Sequence, residues 1–258
     1  MKKTASGLAY CDNGVESEYL IVLVGGLGDT ADGFYSGEMM DRGASMGVRV
    51  FSLGLRSMPN YGLHSIHDDV HDVSVMYTEL GMQAYAGVWF IGHSTGCQVL
   101  MLYAQAHKPR KSEVFILQAP VSDREYEESV NPEIKSVVEA AERLIESAEE
   151  TDSVFLMYKN SQIRADRIIS LFKPGGDEDF FSTDQKIECF NRFNADMYCI
   201  LSAFDEYAVK PVEEIARHFR KVPGMKKVCV IESDHSLTYG RERFFEALEQ
   251  IVSLKKTE

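Results

Sequence analysis

The stretch Val88-Trp89-Phe90-Ile91-Gly92-His93-Ser94-Thr95-Gly96-Cys97 decides the fold. Its first four residues are apolar and read as a strand. The pattern from Cys97 to His107 reads as a helix. Between them stands G-x-S-x-G, the turn that presents a nucleophilic serine when it joins a strand to a helix. A serine on so tight a turn holds a strained backbone. A side chain two residues before or after it would meet the turning chain, and Gly92 and Gly96 remove the Cβ there. The hydroxyl then stands above the sheet, facing the positive end of the following helix. The competing reading is a tight turn whose serine only caps that helix.

Outward from this turn, short apolar segments alternate with amphipathic ones. Strands are expected at Tyr19 to Val24, Val48 to Leu53, Val88 to Ile91, Val114 to Gln118, Met197 to Ser202 and Lys227 to Ile231. They are rich in Val, Ile, Leu and Phe without alternation, as in parallel strands covered on both faces. Helices are expected at Phe34 to Met46, Ile66 to Leu80, Cys97 to His107, Val212 to Phe219 and Glu242 to Leu254. The alternation predicts an α/β fold with a mostly parallel, doubly wound sheet, in a single domain over residues 1–258.

One region breaks the rhythm. From Asp123 to about Ala195 no parallel strand is expected. Glu133 to Glu149 reads as a helix with Pro132 near its first turn, and Asp184 to Asn194 as another, capped by Thr183 or Ser182. Lys173-Pro174-Gly175-Gly176-Asp177 reads as a loop. Residues 125–195 are therefore expected to form a helical lid inserted between two strands. Phe172, Phe180, Phe181, Phe190 and Phe193 are its candidate pocket-lining groups.

A serine hydroxyl is a weak nucleophile at neutral pH and needs a base that is itself oriented by an acid. After such an elbow the chain order is serine, acid, histidine. Asp205 follows the strand Met197 to Ser202, and His235 follows Lys227 to Ile231. Both lie at carboxyl ends of strands, where open α/β sheets place their sites. Glu206 is the alternative acid. Asp234 is set aside, since a residue adjacent to the base rarely points back at its Nδ1. The oxyanion formed during attack needs fixed donors. The N–H of Thr95 is one candidate. Leu27, in Val24-Gly25-Gly26-Leu27-Gly28-Asp29-Thr30, is the other, with Gly28 next. That loop lacks the remaining glycine of G-x-G-x-x-G and is followed by no Lys-Ser or Lys-Thr, which argues against a nucleotide site.

Composition narrows the partners. The net charge is −13, from 40 acidic and 27 basic residues, with no basic cluster. This argues against nucleic acid and anionic membranes. No long apolar stretch predicts a transmembrane span or a secretory signal. Cys11, Cys97, Cys189, Cys199 and Cys229 contain no C-x-x-C pair, which predicts reduced thiols and a cytoplasmic compartment. His64, His67 and His71 with Asp68, Asp69 and Asp72 have metal-like spacing on one helix. No H-E-x-x-H is present, and acids near a helix N-terminus are explained by its dipole, so no metal and no cofactor are expected. His93 is expected to shape the site rather than act as a second base.

The chain as a whole resembles the α/β-hydrolases. The segments Phe90-Ile91-Gly92-His93-Ser94-Thr95-Gly96-Cys97-Gln98 and Ile116-Leu117-Gln118-Ala119-Pro120-Val121-Ser122-Asp123-Arg124-Glu125 resemble one branch of them. Gly25-Gly26-Leu27-Gly28-Asp29 and Asp234-His235-Ser236-Leu237 also fit that branch. It was long filed as a domain of unknown function and includes fungal esterases that hydrolyse hydroxamate siderophores. The resemblance implies a serine ester hydrolase with Ser94, Asp205 and His235 as triad, acting on a small-molecule ester. It does not carry the substrate over. Cleavage of amides, thioesters or carbon–carbon bonds by the same triad stays open, as does a ligand-binding protein that has lost turnover.

Overall fold

The computed structural model of the chain describes residues 1–33, 35–58, 60–150, 153–184 and 195–256. Its strands are β1 (Lys2–Lys3), β2 (Ala9–Asp12), β3 (Tyr19–Val24), β4 (Arg49–Gly54), β5 (Gly87–His93), β6 (Glu113–Gln118), β7 (Phe155–Tyr158), β8 (Ser161–Arg164), β9 (Asp196–Ser202) and β10 (Met225–Ile231). Its α-helices are α1 (Ser36–Ser45), α2 (Ile66–Glu79), α3 (Thr95–His107), α4 (Asp123–Val130), α5 (Ile134–Ser147), α6 (Ala165–Phe172), α7 (Val212–Phe219) and α8 (Arg241–Lys256).

Eight strands form one sheet in the order β1-β2-β4-β3-β5-β6-β9-β10. From β4 to β10 all neighbours pair in parallel, while β1 and β2 add an antiparallel edge. Along each central strand the side chains alternate between two cores, as the period of two requires. Leu20, Val22 and Val24 of β3 go to one face with Val88 and Phe90 of β5. Ile21 and Leu23 go to the other with Trp89 and Ile91. Residues of α2, α3 and α7 cover the first face, and α1 and α8 cover the second. Burial on both faces is why these strands read as continuous apolar runs.

The expected central strands and the helices flanking them all form. β1 and β2 were not anticipated, because short edge strands with exposed or half-buried residues carry little hydrophobic pattern. The larger difference lies within residues 125–195, expected to be helical. They hold the antiparallel ribbon β7–β8 as well as α5 and α6. Its turn, Lys159-Asn160, has both residues at positive φ, +45° and +65°. That is the type I′ hairpin geometry, and Lys-Asn is a weaker sequence signal for it than Asn-Gly. Ile134, Val138, Ala141, Tyr158, Ile163, Ala165 and Ile168 form a third core belonging to this insertion. The expected helix Asp184 to Asn194, with Cys189, Phe190 and Phe193, falls on residues 185–194 and so lies outside the described residues.

The insertion is tied to the first turns of α2 and to the segment before it. Arg167 of α6 reaches Asp69 at 3.3 Å, and His67 meets Asp177 at 2.7 Å. A Cβ at Gly62 would stand 2.5 Å from the Gln162 carbonyl oxygen, so only glycine admits this contact with β8.

Candidate active site

Ser94 joins β5 to α3 at φ +51°, ψ −122°, a conformation that costs a non-glycine residue strain. Its backbone is pinned on both sides. The Ser94 N–H donates to the Gln118 carbonyl at 3.1 Å, and its own carbonyl accepts from the Cys97 N–H at 2.8 Å. At Gly92 a Cβ would meet the turning chain as expected, whereas at Gly96 it would meet β3 instead. A Cβ at Gly92 would lie 2.6 Å from the Gly96 oxygen, and one at Gly96 would lie 2.2 Å from the Val24 oxygen. Although Ser94 is the N-cap residue of α3, its side chain makes no capping hydrogen bond. The hydroxyl is therefore not used to hold the helix.

His235 and Asp205 come from the loops after β10 and β9. The Asp205 carboxylate faces Nδ1 of His235 at 2.9 and 3.0 Å, with both side chains almost fully buried. A carboxylate only accepts, so Nδ1 carries a proton and, in the neutral ring, the lone pair sits on Nε2. Glu206 instead accepts the backbone N–H of His235 at 3.0 Å. Asp234 turns to the N–H and hydroxyl of Thr238. The carbonyl of His235 accepts from His93 Nε2 at 3.2 Å and from Gln118 Nε2 at 3.4 Å. Burial, reinforced by the repulsion His235 exerts when protonated, pushes His93 down to about 3, so this ring is neutral and its Nε2–H serves as a fixed donor. The Tyr207 ring stands edge-on to His235 at 4.7 Å.

Ser94, His235, Leu27, Gly26, Tyr207 and Asp123 line one cavity of about 350 Å³. The glycine loop abuts the elbow, since a Cβ at Gly26 would lie 3.0 Å from the Ser94 Cβ. Thr95 is the first residue of α3 and is buried. The first N–H groups of a helix have no intrahelical partner, which leaves that of Thr95 available to a ligand. Leu27 is more than one-third exposed at the cavity.

Phe172, Phe180 and Phe181 do not line this cavity. Phe180 and Phe181 are buried in the main core, and Phe172 packs against the core of the insertion, 5.6 Å from the Tyr158 ring. Each apolar ring gains more from close packing than from a solvent-filled wall. In the histidine- and acid-rich N-terminal half of α2, each acid has other work. Asp68 closes a capping box with Ser65, Asp72 binds Arg56 at 2.6 Å, and Asp69 meets Arg167. Among the described residues no group of three or more such side chains is placed to hold a metal ion.

Sequence reasoning missed Asp123 and Gln98. The Gln98 amide donates to the Asp123 carboxyl at 2.8 Å. Burial pushes Asp123 up to about 6, opposed by the charge of Arg167, by that of His235 when protonated, and by the Gln98 hydrogen bond. The available signal was position: Asp123 follows the end of β6 by five residues, at the same carboxyl edge of the sheet.

The parallel sheet in this order, with a strained serine between β5 and α3, defines the α/β-hydrolase fold. Solved structures share it over nearly their whole length. The siderophore hydrolase EstB from Aspergillus fumigatus superposes with a TM-score of 0.70 at 19% identity, covering 96% of this chain and 95% of that one. Est1E from Butyrivibrio proteoclasticus gives 0.65 at 12% identity, covering 98% and 96%. A bromoperoxidase from Bacillus anthracis gives 0.58 at 16% identity, covering 96% and 95%. Within that fold the chain belongs to the family described as "Protein of unknown function (DUF1749)", which matches residues 4–228. Comparison with curated protein sequences gives no match. No described helix is long and apolar enough to cross a membrane.

Proposed function

We propose that the protein is a serine hydrolase that cleaves a small-molecule carboxylic ester through an acyl-enzyme. Ser94 Oγ attacks the ester carbonyl carbon while His235 Nε2 takes the hydroxyl proton. The N–H groups of Thr95 and Leu27 hold the oxyanion. When the carbon–alkoxy bond breaks, His235 returns the proton to the leaving alcohol. Water then attacks the acyl-enzyme, gives its proton to His235, and releases the acid and Ser94. Asp205 holds the imidazole in the tautomer this cycle needs and stabilises its protonated form. No step calls on a cofactor. Residues 125–195 serve as a cap beside the site, and α6 and the loop after it are tied to the first turns of α2. The expected compartment is the cytoplasm.

The observation that carries this reading is the strained Ser94, with a hydroxyl not used in capping, in one cavity with a histidine whose Nδ1 is held by Asp205. The siderophore hydrolase and Est1E share the fold at low identity and are compatible with ester substrates. Nitrophenyl esters of increasing acyl length, offered to the wild type and to Ser94→Ala, test it. Hydrolysis by the wild type, with a loss on the order of 10⁶-fold in kcat in the variant, is the expected result. A folded Ser94→Ala variant within tenfold of wild type would remove Ser94 from the reaction.

A further inference from the structure

Asp123 lines the cavity with Ser94 and His235, yet the hydrolytic cycle above gives it no task. It opens α4, just past the end of β6, and its carboxyl is steadied by Gln98 on the first turns of α3. The second carboxyl of the cavity wall, Asp29, turns back on its own loop and accepts the Thr30 N–H at 2.8 Å. Among the described residues no lysine or arginine lines the cavity.

The nearby cation is already engaged. Arg167 is fully buried and meets Asp69 at 3.3 Å and Glu178 at 2.8 Å. The Arg167 charge lowers the cost of ionising Asp123, and Asp123 in turn raises that of Glu178. Two carboxyl groups thus contact the one guanidinium, whereas Asp123, with the Gln98 amide as its hydrogen-bond partner, is the one that faces the reaction cavity. A desolvated carboxylate held by a neutral amide alone is costly to keep charged, and a cation seated against it offsets that cost.

We propose that Asp123 determines specificity by receiving a cationic, ammonium-type group carried by the ester substrate, so that the site takes amine-bearing esters in preference to neutral or anionic ones. This rests on the ester-hydrolase reading. It is a binding role: Asp123 holds a remote group of the substrate while Ser94, His235 and Asp205 perform the chemistry.

Three nitrophenyl esters of equal chain length test it, ending in a methyl, a hydroxyl or a primary ammonium group. The ratio of kcat/KM values within one enzyme cancels any loss of folded protein. The wild type is expected to prefer the ammonium ester to the methyl ester by about 10- to 100-fold, the range of a hydrogen bond to a charged group. The hydroxyl ester should stay near the methyl one. In Asp123→Asn the preference should collapse to near one. Equal rates in the wild type, a preference that survives the variant, or a hydroxyl ester as good as the ammonium ester would each overturn the assignment. Hydrolysis of none of the three would count against the ester reading itself. The cation site is then read on the wild type alone, by whether butylammonium protects Ser94 from a fluorophosphonate better than butanol does. Better protection supports the site, and equal protection overturns it.

Discussion

The carboxylate of Asp205 holds Nδ1 of His235 at 2.9 Å, whereas its neighbour Glu206 takes only the backbone N–H of the same residue. Two adjacent acids thus have separate tasks. Asp205→Asn offers an amide that favours the wrong imidazole tautomer, so a loss of roughly 10⁴-fold in kcat is expected. Glu206→Gln keeps an acceptor for the His235 N–H and should lose far less. Steady-state kinetics on the two variants check this, and a crippled Glu206→Gln beside an active Asp205→Asn would reverse the assignment.

Gly96 and Gly37 offer a controlled pair. A Cβ at Gly96 would collide with the backbone oxygen of Val24 in the central strand β3, whereas one at Gly37 on α1 meets nothing within 4 Å. Gly96→Ala should therefore cost more than about 3 kcal/mol, or prevent folding. Gly37→Ala should gain about 0.5–1 kcal/mol from helix propensity. Denaturant melts measure both. A harmless Gly96→Ala would contradict the tight packing of the elbow against β3.

Glu178 predicts a pH dependence of stability. Burial pushes its carboxyl up to about 7, from an ordinary value of 4.5. Between these values the unfolded chain releases the proton and the folded chain keeps it. The contribution is therefore full below about pH 4.5, falls as pH rises to about 7, and is level above. The size is on the order of 3 kcal/mol. Unfolding free energies of the wild type and Glu178→Gln across this range should diverge accordingly, with the variant gaining relative stability as pH rises. A constant difference would show that Glu178 is ionised throughout.

Tyr207 and Phe172 separate recognition from packing. Tyr207 stands against His235 at the cavity, and Phe172 fills the core of the insertion. Tyr207→Ala should change the ratio of kcat/KM between short and long acyl esters. Phe172→Ala should lower stability by about 2 kcal/mol and leave that ratio unchanged. A preference that moves with Phe172 and not with Tyr207 would place the acyl group against the insertion.

The central sheet was legible because its strands are covered on both faces and read as unbroken apolar runs. The elbow was legible because Gly92 and Gly96 have steric reasons that any sequence must respect. Asp205 and His235 followed from their places after successive strands. What the sequence did not reveal depends on distant contacts. Lys159-Asn160 turns a hairpin through two positive φ values that its residue types signal weakly. Phe180 looks like a pocket residue until the core that takes it is known, while Phe181 lines a small pocket next to the site cavity. Asp123 becomes conspicuous only when Gln98, 25 positions earlier, and Arg167, in the insertion, are brought beside it.

The central claim is that Ser94 is the nucleophile, and covalent labelling tests it most directly. The folded wild type is treated with a fluorophosphonate and the adduct is located by mass spectrometry, with Ser94→Ala in parallel. One adduct per chain on Ser94, and none in the variant, is the expected result. An unlabelled wild type, or equal labelling of the variant, would contradict the account.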